Sequence, residues 1–194
     1  MWTALMRGHS SRDPITEATC YYYSETEPTT FGAYWHYVEG IPTVWNMIKY
    51  VSNGDGTCHI AEAYLGGNFT FPSTSPEGDQ IIRIGNVNGG ELTSVIMPNG
   101  IVTINGYAFD KCCNLTSVVI PNSVTTVRDM AFRCADDLTI CYYMGTISEW
   151  NRITIGRWGN ESLTSAYRYY YSETQPTDTT YQYWHYVDGA PIPW

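Results

Sequence analysis

Between Leu115 and Leu138 the apolar positions mark out one complete structural unit. Leu115, Val118 and Ile120 read as a short strand with one buried face, and Pro121 ends it because proline has no N–H for the next ladder bond. Asn122-Ser123 turns the chain, Val124 and Val127 point back inward, and Ala131-Phe132 fills the widest part of the coil before Leu138 begins again. LTSVIMPNGIVTINGYAFDKCCN from Leu92 superposes without a gap on LTSVVIPNSVTTVRDMAFRCADD from Leu115. This 23-residue period sets Pro98 on Pro121, Ala108 on Ala131 and Phe109 on Phe132. Leu138-Thr139 opens a third unit. Phe69-Thr70-Phe71-Pro72 followed by Ile81-Ile82-Arg83-Ile84 reads as a degenerate first unit with six residues inserted after the proline. Each unit can bury its apolar side only against its neighbour, so the pattern predicts a mainly β repeat solenoid of parallel strands with about four turns.

A second repeat brackets the first. Tyr21 to Trp45 (YYYSETEPTTFGAYWHYVEGIPTVW) recurs at Tyr169 to Trp194 (YYYSETQPTDTTYQYWHYVDGAPIPW) with one extra residue in the loop after the proline. Upstream, at an offset of 148, Trp2 falls on Trp150, Gly8 on Gly156, Ile15 on Leu163 and Ala18 on Ala166. Tyr21-Tyr22-Tyr23 and Tyr34 to Val38 are strand formers, expected to pair as a hairpin with a loop of about ten residues. Trp35 and Tyr37 would face one way and Tyr34, His36 and Val38 the other, one face covering an open solenoid end and one left aromatic and wet. The expected organisation is an aromatic hairpin module at 1–45, an N-terminal cap with the degenerate repeat at 46–90, repeats at 91–149 and a closing aromatic module at 150–194. On this reading the N-terminus is the surviving end of a larger array.

The pattern L-T-S-V-x-I-P-x-S-V-T-x-V-x-x-x-A-F-x-x-C, matched by Leu92 to Cys112 and by Leu115 to Phe132, resembles the BspA-like leucine-rich repeat family of bacterial, largely surface-associated proteins. Ala135 stands where the second unit's cysteine is expected, with Cys134 one place early, and Met97 replaces isoleucine. The resemblance covers roughly residues 50 to 194, with the first 45 matching only the closing module. It implies a leucine-rich-repeat solenoid, an extracellular or cell-surface location, and adhesion or host-surface interaction.

Composition adds exclusions. The 194 residues carry 10 Lys+Arg against 19 Asp+Glu, a net charge of −9, which repels phosphate backbones and anionic lipid, so no nucleic-acid partner is expected. No apolar stretch approaches the roughly eighteen residues that would span a bilayer, so no membrane insertion is expected. Met1 to Ser10 does not read as a secretory signal peptide. Six cysteines without a C-x-x-C pair read as buried structural thiols. His36 and His185 are flanked by aromatics rather than ligands, and Asn53-Gly54-Asp55-Gly56 reads as a hairpin turn rather than a calcium loop. Asp136-Asp137 reads as a solvated turn, and the sequence holds no G-x-S-x-G, glycine-rich phosphate loop or H-E-x-x-H. No metal, cofactor or catalytic residue is assigned, and the chain is expected not to be an enzyme.

The expected function is therefore binding, with a protein or carbohydrate ligand. Thr93, Ser94, Ile96, Thr116, Ser117 and Val119 would form an exposed strip of hydroxyls and small apolar groups, supplemented by Tyr34, Trp35, Tyr37, Tyr183, Trp184 and Tyr186 of the modules. Four strands give that strip roughly 300 Å². Two alternatives stand beside it. One is head-to-tail self-association through residues 2–45; the lesser one is an acidic intracellular inhibitor.

Overall fold

The computed structural model describes residues 21–194, and the upstream part of the first module, with Trp2, Gly8, Ile15, Ala18 and Cys20, lies outside the described residues. The chain runs β1 (Tyr22–Tyr23), β2 (Tyr34–Val38), β3 (Ile41–Val44), β4 (Met47–Ser52), β5 (Thr57–Thr70), β6 (Gln80–Ile96), β7 (Thr103–Ile104), β8 (Ser117–Ile120), β9 (Thr126–Val127) and β10 (Ile140–Tyr143). Helix α1 (Ile147–Trp150), β11 (Thr154–Ile155), α2 (Glu161–Ser165), β12 (Tyr167–Tyr171), β13 (Gln182–Val187) and β14 (Ala190–Pro193) complete it.

Two parallel ladders wind through one sheet, which is the geometry of a solenoid. Along the first, Phe69 lies opposite Val95, Val95 opposite Val118, Val118 opposite Cys141, and Cys141 opposite Arg168. The two central steps keep the period read from the sequence, while the steps into Val95 and into Arg168 are a few positions longer. Along the second ladder, Ile84 pairs with Ile104, Ile104 with Val127, and Val127 with Ile155. A further parallel step from β12 to β13 makes five turns in place of the expected four.

The core follows from the repeat. Ala108, Phe109, Ala131 and Phe132 are fully buried, and the two phenylalanine rings stack 5.1 Å apart at 19°. Their corners are joined by main-chain bonds, Val87 N–H to Ala108 O and Phe109 N–H to Ala131 O. The series ends at Phe132 N–H, which donates to the side-chain oxygen of buried Asn160, 3.2 Å away. Asn160 Nδ2 donates in turn to Arg128 O and Gly156 O, so one amide closes the ladder where the repeats stop. The first turn has no alanine-phenylalanine corner. There β6 runs unbroken for 17 residues, its register against β5 shifting at three places, and Gly85 packs against the carbonyls of Ile60 and Ala61, where a Cβ would overlap them.

The expected hairpin of the aromatic modules is corrected. β1 pairs with β2 in parallel, Tyr22 to Tyr34, and β12 with β13 in parallel, Tyr170 to Tyr183. The second step is longer than the first by the one extra loop residue of that copy. Each loop is thus a shortened solenoid turn. The antiparallel hairpin comes next, β2 with β3 and β13 with β14. Its two-residue turns, Glu39-Gly40 and Asp188-Gly189, have positive φ at both positions (51° and 80°; 50° and 80°), as a type I′ turn requires.

The Asn53 to Gly56 segment is a hairpin turn between β4 and β5, with Asp55 Oδ1 accepting from the backbone N–H and the hydroxyl of Thr57. Ala135 is fully buried and takes the place of Cys112, while Cys134 is exposed. Of the thiols, Cys58, Cys112 and Cys141 are buried as expected, and burial pushes Cys112 and Cys141 up to about 12. Cys113 and Cys134 are exposed, against the expectation.

Because each phenylalanine is a neighbour's core, truncating one opens two turns. Phe132→Ala is expected to cost about 3–5 kcal/mol in a denaturant titration.

Candidate functional site

The face of the first ladder that points away from the core is built by strand alternation. On β10, Cys141 and Tyr143 enter the core while Ile140 and Tyr142 lie on the other side. The registers assemble two rows on that outer side. One runs Asn68, Ser94, Ser117, Ile140, Tyr167; the other runs Thr70, Ile96, Val119, Tyr142, Tyr169, Gln182. Neither row contains a charged residue, in a chain of net charge −9. The first grades from amide and hydroxyl groups to an aromatic ring, while the second passes from Thr70 through Ile96 and Val119 to Tyr142 and Tyr169 and ends on the amide of Gln182.

The hydroxyl end is partly committed to itself. Thr93 and Ser94 both donate to Asn68 Oδ1, at 2.9 and 2.7 Å, and the Thr116 hydroxyl donates to Thr93 O at 2.9 Å. Thr93 and Thr116 are exposed; Ser94, Ile96 and Ser117 are half-buried. Val119 corrects the expected strip: it is 2% exposed, covered together with Tyr142 and Trp184 in a second apolar cluster on this outer face. The cover is the closing module itself, whose β13 lays Trp184 over the ladder.

Trp184 is fully buried rather than presented to solvent, and its Nε1–H donates to Tyr143 O at 2.9 Å. Around it Tyr142, Tyr171 and Tyr186 stand 5.4, 5.2 and 4.8 Å away, centre to centre. Tyr183 and Tyr186 are half-buried. Burial pushes the Tyr142 and Tyr186 phenols above their ordinary range, with neighbouring tyrosines adding to it.

The first module has the same interior. His36 stacks on Trp45 at 3.9 Å, as His185 does on Trp194 at 3.7 Å. The outer tryptophan N–H donates to Ser24 O in one copy and to Ser172 O in the other. Surroundings differ. Tyr170 is buried in the solenoid core, whereas its counterpart Tyr22 is 54% exposed. Trp35 is buried, against the expected outward display, Tyr34 is half-buried and Tyr37 exposed. The indole N–H of Trp35 has no acceptor, unlike that of Trp184.

Structure brings the strip and the second module together on one face and sets the first module apart, in its own sheet of β1, β2 and β3. Asn68, Ile140, Tyr142, Tyr167, Tyr169 and Tyr171 belong to that face and were missing from the sequence expectation. Extending the repeat one unit past Ser117 and Val119 would have found Ile140 and Tyr142.

Residues 81–155 match the family model described as BspA type leucine rich repeat region (6 copies). A comparison with curated proteins finds no match. Among solved structures, a leucine rich cell surface protein from Faecalibacterium prausnitzii is similar over 64% of this chain, at 17% identity and a TM-score of 0.41, and the chain spans 43% of that protein's length.

The two sister tryptophans give a direct comparison. Trp184→Phe removes a buried hydrogen bond to the Tyr143 carbonyl, whereas Trp35→Phe removes a donor that bonds nothing. The first is expected to destabilise more than the second by about 1 kcal/mol in parallel denaturant titrations.

Proposed function

We propose, from the premise that this chain is a BspA-type leucine-rich repeat protein, that it is a non-enzymatic, surface-associated binding protein of the adhesion type. Its ligand is a neutral glycan or an uncharged stretch of protein, held on the outer face of the strand ladder. The observation that carries this reading is the pair of uncharged rows, polar at Asn68 and Ser94 and aromatic at Tyr167 and Tyr169. A graded surface of this kind offers hydrogen bonds at one end and flat apolar faces at the other, and it does not depend on ionic contacts.

Area bounds the affinity. Six strands at ~4.8 Å spacing and about five residues of ~3.3 Å each give roughly 470 Å². A partner in a stable protein interface contributes about 800 Å², so a single face binds weakly and depends on avidity between copies. On a glycan and matrix-protein array, the chain is expected to show micromolar or weaker binding that disappears in the double variant Thr116→Arg with Ser117→Arg. Unchanged binding would remove the strand face from the reading.

A second reading, self-association through the first module, is favoured by the exposed rings that module carries, Tyr23 and Tyr37 among them. It predicts that light scattering gives a larger, concentration-dependent mass for the full chain than for a chain beginning at Asn46. Equal monomeric masses exclude it.

A further inference from the structure

Two cysteines stand outside the repeat. The repeat's own cysteine is Cys112, fully buried, and Ala135 takes its place one turn on. Cys113 and Cys134 are the chain neighbours of those two core residues, and both are exposed. Packing therefore explains neither of them.

Both lie at the corners that carry the stacked phenylalanines, on consecutive turns. Phe109 N–H donates to Ala131 O at 2.7 Å and Lys111 N–H to Arg133 O at 3.0 Å, so the two corners stack in register. Arg133 adds a side-chain tie across the same gap, its Nε and Nη2 donating to the two carboxylate oxygens of Asp110 at 2.9 and 2.8 Å. Cys134 follows Arg133 and is the turn-mate of Lys111; both adopt left-handed backbone, with φ of 58° and 62°. Cys113 is thus one turn, about 4.8 Å, and two residues along the chain from the place of Cys134. A diagonal of that kind is close to the roughly 7 Å between Cα atoms that a disulfide can span. Neither cysteine belongs to a strand and neither makes a main-chain hydrogen bond, so drawing them together breaks no ladder bond. Burial and then surrounding charge push the Cys113 thiol up, and among those charges Cys134 acts more strongly than Asp136, the turn-mate of Cys113. The other described thiols do not compete. Cys58, Cys112 and Cys141 are buried, and burial pushes Cys112 and Cys141 up to about 12.

We propose that Cys113 and Cys134 are an oxidisable pair whose disulfide staples two consecutive turns of the solenoid. The oxidant is a small-molecule disulfide. One cysteine thiolate attacks it, forming a mixed disulfide and expelling one small thiolate; the other cysteine thiolate then attacks the protein-bound sulfur, and the second small thiolate leaves. Two protein thiols become one S–S bond, one small disulfide becomes two thiols, and the protons of the cysteines pass to the departing thiolates. The proposal is independent of the ligand reading. Its consequence follows from the repeat, because a turn is held only by its neighbours. The staple closes a loop of about 22 residues and ties the two turns beside the stack of Phe109 on Phe132.

The test treats the reduced full chain with hydroxyethyl disulfide, an uncharged oxidant, at about pH 8, followed by alkylation in denaturant and peptide mapping without reduction. The expected product is a single chain about 2 Da lighter than the reduced one, with Cys113 linked to Cys134 in its map. Its melting temperature is expected to rise by about 5 °C or more and to fall back on reduction. The oxidant should leave the melting temperature of Cys113→Ser and of Cys134→Ser unchanged. Four results each overturn the proposal: mixed disulfides at the two cysteines without a link, chains joined to one another through either cysteine, a link to Cys20 instead, or a link that brings no rise in melting temperature.

Discussion

The parallel ladder between consecutive turns is the interaction on which everything else depends. Each turn lacks a hydrophobic core of its own, so Phe109 is buried only because Phe132 stacks on it, and Phe132 only because something follows. A ladder of this kind must be stopped without leaving open N–H groups or apolar side chains. At the corner, Asn160 stops it by substituting one side-chain amide for the carbonyls of a missing turn. On the strand side it is stopped by narrowing: the step from Tyr143 to Tyr170 is a full turn, the step from Tyr170 to Tyr183 about half of one, and an antiparallel hairpin then turns the sheet edge back on itself. Pro191 and Pro193 stand on that last strand, where fewer N–H groups remain to recruit another strand.

The two aromatic modules separate what their sequence dictates from what their position dictates. Histidine stacking, the outer tryptophan's bond to a serine carbonyl and the turn with two positive φ values occur in both copies, so the sequence alone suffices for them. The bond of the inner tryptophan and the burial of the core-facing tyrosine occur only where β10 lies alongside. Capping is thus a property of the pair of module and ladder, and the first module keeps the residues for it while meeting a different surface at Gly66 and Glu91.

The centre of the solenoid was legible because its period is strict: the spacing that separates Leu92 from Leu115 in the sequence also separates Val95 from Val118 and Val118 from Cys141 in the ladder. The ends were less so. Tyr21 to Tyr23 and Tyr34 to Val38 carry strand propensity, but a connection of about ten residues fits a wide hairpin and a short coil equally well, and propensity does not encode strand direction. The coil prevails because each module strand then continues the parallel order already set by the repeats. Val119 and Trp184 failed as exposed site residues for a related reason. Alternation tells which face of the sheet a residue occupies, but not that a segment far downstream will fold over that face.

That folding-over changes what the outer face can do. An aromatic cluster in open water would be a sticky patch, liable to bind anything apolar. Here Trp184 is taken wholly inside and anchored to Tyr143, Tyr142 is buried beside it, and what remains at the surface is a rim of half-buried tyrosines, Tyr169, Tyr171 and Tyr186. The rim is held in place, since Tyr171 and Tyr186 lean on the same indole and Tyr169 on Tyr142. Rigid rings with neutral hydroxyls lose little freedom on binding. Net charge contributes long-range repulsion of other acidic surfaces, while the uncharged rows leave contact itself free of ionic preference. On the proposed binding reading, selectivity on such a face would come from shape and hydrogen-bond count rather than from charge.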